Sequence, residues 1–443
     1  MRPQLQSDPI PYQQPIPEWN PALRIAFRFS VAYLGLFCAA TQIITSLLSA
    51  TQGSDIPDPG TLWPLRPVVE WTAGHVFHVA APLSLEGNSA SGDCMFGWVV
   101  AFCLLVIAAF ATVIWSILDR KRKNYAALNK WVLLFFRFAL AGQMLNYGLA
   151  KVVPLQMSYP SLTRLLQPFG TFSPMGVLWS SIGAAPAYEI FAGCAEVIGG
   201  VLLIVPRTAT LGALICLADM IQVFMLNMTY DVPVKLFAFH LILLACFLIA
   251  PDVPRLVTIL FLDRATAPRP RAQLFSSHRA NRIALAAQIA LGLWLLGLNA
   301  YAVRQFWSIF GGGRQYSALY GIWEVSQMSI DGTQRPPLLT DNVRWRRAIF
   351  DYPQTATLQL MDDSFAYYRA SIKPADKTLV LTKGADENWK ANLSFQRPQQ
   401  NQLIVDGRME DHQVHIELQL TDRNKFLLVS RGFHWIQEFP LNR

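Results

Sequence analysis

Seven apolar runs occupy the chain before its C-terminal part. About 20 consecutive apolar residues are enough to cross the hydrocarbon core of a bilayer as an α-helix. Hydrophobic residues make up 53% of the chain and charged residues 15%, whereas soluble domains carry nearer a quarter charged residues. The pattern predicts an α-helical integral membrane protein of about seven spans and excludes a disordered, collagen-like or coiled-coil chain. The runs are residues 23–50, 96–118, 130–153, 187–205, 209–227, 235–250 and 281–301.

Basic residues alternate along the connections between these runs. The second connection carries residues 120–123, which are Arg-Lys-Arg-Lys, and the sixth is rich in arginine, whereas the first, third and fifth are poor in both. Because cytoplasmic loops carry the excess of Lys and Arg, the N-terminus is predicted to be cytoplasmic and the C-terminal domain to lie on the outer side of the membrane. This rule also accounts for the net charge of +8. Membrane lipids are therefore the expected partners, and nucleic acid is not.

The N-terminal segment is polar and rich in proline. Residues 1–22 contain six prolines, so we expect a flexible segment. The run that follows is too long for a signal-peptide core and no Ala-x-Ala cleavage site follows it. We therefore interpret residues 23–50 as a retained span, and residues 23–127 as two spans with an outward-facing segment between them.

The C-terminal part has the composition of a water-soluble domain. Residues 314–443 hold 16 basic and 15 acidic residues, against 21 and 14 in the rest of the chain. Residues 414–420 alternate apolar and polar side chains, which is typical of a half-buried strand. Similar runs at 320–330, 355–360, 365–372, 378–382, 389–395 and 426–429 are separated by turn signals. These runs predict an all-β barrel or sandwich.

A short pattern in this domain resembles the lipocalin barrel. The pattern consists of Gly321-Ile322-Trp323 near the start, with Thr421-Asp422 and Arg431 near the end. The resemblance implies that Trp323 closes the barrel floor and that Arg431 stacks over it. An eight-stranded barrel can hold one small apolar ligand or can be filled by its own side chains, and both alternatives stay open here.

Polar residues inside the predicted spans are candidate functional groups, because ionisable side chains are costly in hydrocarbon. Glu196 and His240 are the candidates for handling protons or a polar headgroup. Arg137 and Asp219 are candidates for a structural ion pair. The third run carries Gln143, Tyr147 and Lys151 at successive i+4 steps. The predicted ligand-binding set is Lys151, Asn146, Tyr147, Asn227, Tyr230, Asp231 and Lys235.

Structural interpretations compete with each of these assignments. Lys151, Asp231 and Lys235 lie near span ends, where long side chains reach the membrane surface. Asn146 and its polar neighbours are of the kind that joins helices within a bundle. The glycines around Glu196 permit close helix packing as well as a ligand cleft.

Six short motifs follow one another between residues 128 and 252. They are Arg137, Tyr147-Gly148-Leu149-Ala150-Lys151, Ser173-Pro174-Met175-Gly176, Phe191-Ala192-Gly193-Cys194-Ala195-Glu196, Gly199-Gly200 and Asp231-Val232-Pro233-Val234-Lys235-Leu236. In this order they resemble the DoxX family of small four-helix membrane proteins. The flanking spans and the barrel resemble the larger bacterial members, which implies a bacterial inner membrane and a periplasmic C-terminal domain. The resemblance implies a redox-associated or accessory role and contact with quinone, since some relatives look like subunits of a thiosulfate:quinone oxidoreductase.

Cysteine and histidine patterns give little support for self-contained chemistry. None of the six cysteines forms a Cys-x-x-Cys motif, which dithiol redox chemistry needs. His75 and His78 are better explained by an interfacial helix with aromatic residues than by a metal site. The sequence contains no phosphate loop, dinucleotide fingerprint, metalloprotease motif or nucleophile elbow. No metal site is predicted.

These observations divide the chain and leave three functional hypotheses. The expected divisions are 1–22, 23–127, a DoxX-like four-helix unit at 128–252, a cytoplasmic linker with the seventh span at 253–304, and a lipocalin-like barrel at 314–443. The first hypothesis is a redox-associated or accessory subunit that contacts quinone. The second is a protein that binds or transfers a lipid or small apolar ligand with its barrel. The third is a scaffold for a partner oxidoreductase.

Overall fold

The computed structural model describes residues 18–49, 57–79, 83, 92–267, 273–384 and 386–442. Most of the N-terminal segment that we predict to be flexible lies outside the described residues. The helices are α1 (Pro21–Ala40), α2 (Gln42–Ser49), α3 (Leu65–His75), α4 (Met95–Leu118), α5 (Ala126–Val152), α6 (Leu162–Leu166), α7 (Pro174–Gly183), α8 (Pro186–Ile204), α9 (Ala209–Thr229), α10 (Lys235–Ile249), α11 (Val253–Leu260), α12 (His278–Ile309) and α13 (Leu427–Ser430).

The predicted membrane part is confirmed. In the described residues, seven helical segments are long and apolar enough to span a bilayer: α1, α4, α5, α8, α9, α10 with α11, and α12. The sixth span, which looks short in the sequence, gains length because a turn at Ala250–Asp252 joins α10 to α11. The combined segment Lys235–Leu260 has 26 residues, which exceeds the length that a bilayer requires.

The first apolar run forms two helices, which the sequence does not predict. Thr41 adopts an extended backbone (φ −116°, ψ 177°) at the end of α1. Its hydroxyl donates a hydrogen bond to the carbonyl oxygen of Phe37, at 2.8 Å. Hydropathy records that a run is apolar and does not record whether its helix is continuous. Because of this interruption, the polar residues Gln42 and Ser46 of α2 contact α5.

The chain forms two compact units, Met1–Leu149 with Ala192–Ala302 and Ala150–Phe191 with Val303–Arg443. In the first unit, one buried apolar core is shared by α1, α3, α4, α5, α9 and α10. The first two spans therefore pack into the same core as the third, fifth and sixth spans.

Glycines bring α8 close to the helices on both sides of it. A Cβ atom at Gly148 of α5 would lie 2.8 Å from Val197 and 2.9 Å from the Cβ of Glu196. A Cβ atom at Gly212 of α9 would lie 2.8 Å from the backbone nitrogen of Leu203. These distances are too short for real side-chain contacts, so the close packing of α5, α8 and α9 depends on glycine.

A buried arginine joins α1 to the connection between α4 and α5. The Arg28 guanidinium donates hydrogen bonds to Tyr125, at 2.8 Å, to Ser116, at 2.9 Å, and to the carbonyl oxygen of Asp119, at 3.1 Å. The Tyr125 hydroxyl in turn donates to the Asp119 carboxylate, at 2.9 Å. Each of the three guanidinium nitrogens has an acceptor, which is what makes a buried charged group tolerable.

The second unit contains a closed antiparallel barrel. Its strands are β1 (Gly321–Ile330), β2 (Thr333–Gln334), β3 (Trp345–Phe350), β4 (Thr355–Leu360), β5 (Phe365–Lys373), β6 (Thr378–Lys383), β7 (Asp386–Gln396), β8 (Gln402–Met409) and β9 (His412–Leu420). Strand β1 pairs with β3, the strands from β3 to β9 pair in sequence order, and β9 pairs back with β1, so eight strands close the barrel. The short strand β2 pairs only with the end of β1. The predicted all-β barrel is confirmed.

The barrel interior is occupied by side chains. A cluster of 22 buried apolar residues fills it, and all of them except Leu319, which precedes β1, lie on the strands. Trp323, Leu358, Leu381 and Ile416 are among its fully buried members. This arrangement favours the packed alternative over a hollow barrel.

Two details of the predicted barrel are wrong. The arginine over the Trp323 ring is Arg397, at 5.4 Å from the ring centroid, whereas Arg431 contacts His434 and Gln437. Residues 426–429, predicted as a strand, belong largely to the short helix α13, because the barrel already closes at β9.

Strands β3 and β8 are not predicted by alternation: Arg346 and Arg347 interrupt the apolar pattern of β3, and β8 contains Gly407.

The connection between the third and fourth spans lies on the barrel within the second unit. The backbone nitrogen of Leu162 donates to the Asp351 carboxylate, at 3.0 Å, and the Leu162 side chain packs against Ile322 and Ile349. The Arg423 guanidinium lies over the Tyr159 ring, 5.0 Å from its centroid. Four of the seven candidate spans separate this connection from the barrel, and an even number of crossings would return the chain to the same side of a membrane.

Candidate functional site

Two pairs of polar residues join α2 to α5. The Gln42 amide nitrogen donates to the Tyr147 hydroxyl, at 2.9 Å, and the Gln143 amide nitrogen donates to the Ser46 hydroxyl. Both helices contribute residues four positions apart, which places each pair on one helix face. Sequence analysis identified Tyr147 but missed Gln42 and Ser46, which lie in the part of the first run that α2 redirects.

Two carboxyl groups lie within electrostatic range of the Tyr147 hydroxyl. They belong to Asp58 and Glu196. Asp58 accepts a long hydrogen bond from the Thr45 hydroxyl, at 3.4 Å, and burial raises the pKa of its carboxyl above the ordinary value. Glu196 is 1% exposed and packs beside Gly148. We call Gln42, Asp58, Tyr147 and Glu196 the polar cluster.

His240 lies in an aromatic setting between α10 and α1. Its Nδ1 is 2.7 Å from the carbonyl oxygen of Leu236, and its Nε2 is 2.8 Å from the Tyr33 hydroxyl. Since a carbonyl oxygen can only accept, Nδ1 carries the hydrogen of the neutral ring, and Tyr33 donates to Nε2. The ring stacks on Phe37, with centroids 3.6 Å apart.

The two halves of the predicted Glu196–His240 pair lie in different surroundings. Both ring nitrogens of His240 are directed at Leu236 and Tyr33, so neither is directed at Glu196. An aromatic ring lies next to each group. The Phe37 ring stacks on His240, and the centroid of the Phe237 ring of α10 lies 6.3 Å from that of the Tyr147 ring. The site therefore has a polar cluster and a neighbouring His240–Tyr33 pair, with Phe37 and Phe237 beside them.

Two residues of the predicted ligand-binding set, Asp231 and Lys235, lie just before and at the start of α10. Asp93 accepts hydrogen bonds from the backbone nitrogens of Lys235 and Leu236, both at 2.8 Å. A carboxylate in this position satisfies free N–H groups and interacts favourably with the helix dipole. The Lys235 ammonium lies 2.9 Å from Asp231 and 3.7 Å from Asp93. Sequence analysis missed the role of Asp93, which is far from α10 in the sequence.

Asn227 and Tyr230 belong to the same turn. Asn227 donates from its amide nitrogen to the carbonyl oxygen of Val234, at 3.4 Å, and Tyr230 follows the last residue of α9. Asn146 is buried on α5, 8% exposed. These contacts agree with the structural interpretation of Asn227, which holds the turn between α9 and α10.

Lys151 belongs to the second unit, together with Glu189. It is 6% exposed and lies within electrostatic range of the Glu189 carboxylate. Glu189 accepts a hydrogen bond from the backbone nitrogen of Met157, at 2.9 Å. Sequence analysis missed Glu189, because it read this residue as part of the outer end of the fourth span.

Arg137, which we expect to pair with Asp219, binds the end of α8. Its guanidinium donates to the carbonyl oxygens of Leu203, at 2.8 Å, and Ile204, at 2.7 Å. The last carbonyl groups of a helix have no partner within the helix and carry partial negative charge, so a cation stabilises them. Arg137 thus acts on the fold by fixing the end of α8 against α5.

The cysteines and histidines form no redox or metal centre in the described part of the chain. All six cysteines are free, and Cys94 caps α4 by accepting from the backbone nitrogen of Gly97, at 3.3 Å. His75 stacks on Trp71 at the end of α3, with centroids 4.7 Å apart. Among the described residues, no group of three or more His, Cys, Asp or Glu side chains could hold a metal ion.

The fold and this site define a multi-pass α-helical membrane protein with a C-terminal antiparallel β-barrel. No family model and no solved structure matches the chain. It is 31% identical, over 118 residues, to the uncharacterized protein YwoB of Bacillus subtilis (strain 168), and the match covers 25% of this chain and 69% of that relative. The chain belongs to the same family as YwoB.

Proposed function

We propose that the protein is a DoxX-type accessory subunit of a bacterial inner membrane, which binds the headgroup of a quinone at the polar cluster. The observation that carries this proposal is the meeting of Gln42, Tyr147 and Glu196 inside the helical unit. Quinone carbonyl groups accept hydrogen bonds. The Tyr147 hydroxyl and the Gln42 amide can donate hydrogen bonds to them, and the Glu196 carboxyl group lies within electrostatic range of the Tyr147 hydroxyl.

The aromatic neighbours support the same assignment. Phe237 provides an apolar face beside Tyr147 of the polar cluster, and Phe37 provides one beside His240. Ligand sites commonly combine such faces with a few polar groups. His240 and Tyr33 form a hydrogen-bonded pair through which a proton can pass to or from the site. Lys235 and Asp231 form the outer border of this helical unit in the proposal.

The proposed topology places the N-terminus in the cytoplasm and the barrel in the periplasm. The basic connection at residues 119–123 supports the cytoplasmic assignment of that side. The contact of Leu162 with Asp351 supports a common side for the barrel and the third connection. Cysteine introduced by Lys121→Cys and Asp376→Cys tests this with a membrane-impermeant maleimide on intact cells. We expect labelling of Asp376→Cys above the wild-type background, and the opposite pattern contradicts the topology.

Mass spectrometry of small molecules extracted from the full-length protein in native-lipid particles tests the function. We expect quinone enriched over the bulk membrane in the wild type. The enrichment should be lost in Glu196→Gln and Tyr147→Phe, with the folded yield retained. Gln222→Leu is the matched control, because Gln222 is an exposed polar residue of another span. A wild-type quinone content equal to that of the bulk membrane contradicts the proposal, and a soluble oxidoreductase co-purified without any ligand favours the scaffold.

The barrel carrier is the weaker candidate. Its interior holds a continuous cluster of buried side chains, so a ligand would have to displace packed groups such as Leu358 and Leu381. A lipid enriched with the wild-type protein and lost on substitution within the barrel would favour carriage over quinone contact.

A further inference from the structure

An apolar cavity lies between α5 and α12 in the first unit. Its volume is about 710 Å3, within the range of small-molecule sites, which is roughly 300–1,000 Å3. Aromatic side chains form much of one wall, and Trp131 meets Phe275 edge to face with centroids 5.7 Å apart. The residues that line it are Leu47, Trp131, Leu134, Phe135, Phe138, Leu274, Phe275, Ala280, Ile283, Ala284, Ala287, Gln288 and Leu291.

Gln288 is the polar member of this lining. Its side chain is 8% exposed, and its amide nitrogen donates to the carbonyl oxygen of Ala284, at 3.0 Å. Its Oε1 is buried and accepts no hydrogen bond from any residue that the structure describes. Exchanging the two amide atoms would set oxygen against the Ala284 oxygen, so the contact with Ala284 fixes the orientation.

A buried acceptor without a donor is costly, because the group has lost its hydrogen bonds to water and gained none in return. The missing group must donate a hydrogen bond, and it must belong to a molecule that enters an apolar, partly aromatic cavity. Ile283 is 65% exposed and Trp131 48% exposed, so the cavity can be reached from the hydrocarbon of the bilayer. Charged molecules do not fit this lining, whereas an apolar body with one hydroxyl group does.

We propose that this cavity binds a membrane-soluble alcohol or phenol, whose hydroxyl group donates a hydrogen bond to Oε1 of Gln288. The apolar side chains hold the body of the molecule, and the amide selects for the donor. The selectivity comes from the penalty for leaving the acceptor unpaired, because a molecule of the same shape without the hydroxyl hydrogen leaves Oε1 unsatisfied.

The cavity is separate from the polar cluster. Its α5 residues, Trp131 to Phe138, lie in the first half of that helix, whereas Tyr147 lies near its end. Phe138 and Tyr147 are nine positions apart, which corresponds to about 14 Å along the axis of α5. The two sites therefore fail independently: Glu196→Gln should leave the cavity unaffected, and Gln288→Leu should leave the polar cluster unaffected.

Matched pairs of ligands test the proposal in lipid nanodiscs that contain the full chain. The probes are 4-nonylphenol with 4-nonylanisole, and dodecanol with dodecyl methyl ether, because methylation removes the donor and keeps the body. Binding is measured by equilibrium dialysis as the excess over empty nanodiscs of the same lipid. One hydrogen bond of ordinary net strength corresponds to a preference of about threefold to tenfold for the hydroxyl compound.

Gln288→Leu should reduce this preference to about one, while Gln222→Leu, the same substitution at an exposed site of α9, should retain it. Ala284→Phe leaves the amide in place and fills the cavity, so it should lower the excess binding of both members of a pair. A preference in the phenol pair alone assigns a phenolic ring, and one in the alcohol pair alone assigns an aliphatic alcohol. Equal binding within both pairs by the wild type, or a preference that survives Gln288→Leu, overturns the proposal.

Discussion

The Tyr33 hydroxyl donates a hydrogen bond to Nε2 of His240 across 2.8 Å, between the first and sixth spans. The opposite ring nitrogen is engaged by the carbonyl oxygen of Leu236, so the imidazole is fixed in one tautomer and one orientation. The Phe37 ring covers its face. Such a ring is held by α1 as much as by its own helix.

Replacing Tyr33→Phe should destabilise the helical unit by about 1 kcal/mol, because Nε2 of His240 loses its donor and stays buried. The measurement is the apparent melting temperature of the purified protein in a fixed detergent. Tyr301→Phe is the control, since Tyr301 is 64% exposed and its substitution should change little. Equal melting temperatures for the two variants would contradict this role of Tyr33.

Gly148→Ala should destabilise the helical unit, because the cost of the added methyl group should exceed the gain that alanine normally brings to a helix interior. The added methyl group would lie within 3.0 Å of Val197 and Glu196, which forces α5 and α8 apart, and overpacking commonly costs about 1–3 kcal/mol. Gly35→Ala in α1 is the matched control: no atom lies within 4 Å of the added group, and alanine favours a helix interior by about 0.5–1 kcal/mol. Opposite shifts in melting temperature are expected.

A loss of quinone enrichment in Gly148→Ala, at a folded yield near the wild type, would also support the polar cluster as the quinone site. Glu196 packs on Gly148, and Tyr147 precedes it, so a small separation of these helices moves two proposed ligand-binding groups. A melting temperature unchanged from the wild type would show that the helices accommodate the methyl group and would contradict the packing argument.

The sequence predicts much of this fold because the relevant signals are local. Apolar length predicts the spans, and alternation predicts strands such as β9. The break at Thr41 is a backbone event inside an apolar run, so hydropathy does not reveal it. Strand β3 contains two arginines whose side chains face away from the core, and its apolar pattern is too short to recognise alone.

The candidate site was predicted less completely than the fold, for a physical reason. Intramembrane ionisable groups such as Glu196 and His240 stand out because their burial is costly. Their neighbours in the site do not stand out. Tyr33, Gln42 and Asp93 are residue types that occur commonly near span ends, and they lie far along the chain from the groups that they contact. Arg137 shows a second limit: charge alone suggests Asp219 as its partner, whereas the carbonyl groups at the end of α8 are acceptors that only the fold brings to it.

Leu381→Ala should strongly destabilise the second unit. Leu381 is fully buried within the barrel, and removing a buried leucine side chain commonly costs about 2–5 kcal/mol. Tyr367→Ala is the control on a neighbouring strand, because Tyr367 is 68% exposed. Limited proteolysis of the full chain measures the difference as faster cleavage within residues 321–420. A hollow barrel would give a small effect for both variants.

The His415–Asp406 pair on the barrel surface predicts a pH-dependent contribution to stability. His415 Nδ1 lies 2.6 Å from the Asp406 carboxylate, and this hydrogen bond raises the pKa of His415 above its ordinary value. A raised pKa favours the folded state while the ring is protonated. The contribution is therefore present below about pH 6.5, the unfolded value, and is lost as the pH rises through the folded pKa.

Both side chains are 44% exposed, so the effect on stability is small, and the titration itself is the sharper measurement. NMR of histidine-labelled protein should give a midpoint above 6.5 for His415. Asp406→Asn should lower that midpoint more than Glu417→Gln, whose carboxylate is 3.6 Å from the ring, and the reverse order would contradict the assignment of Asp406 as the dominant partner.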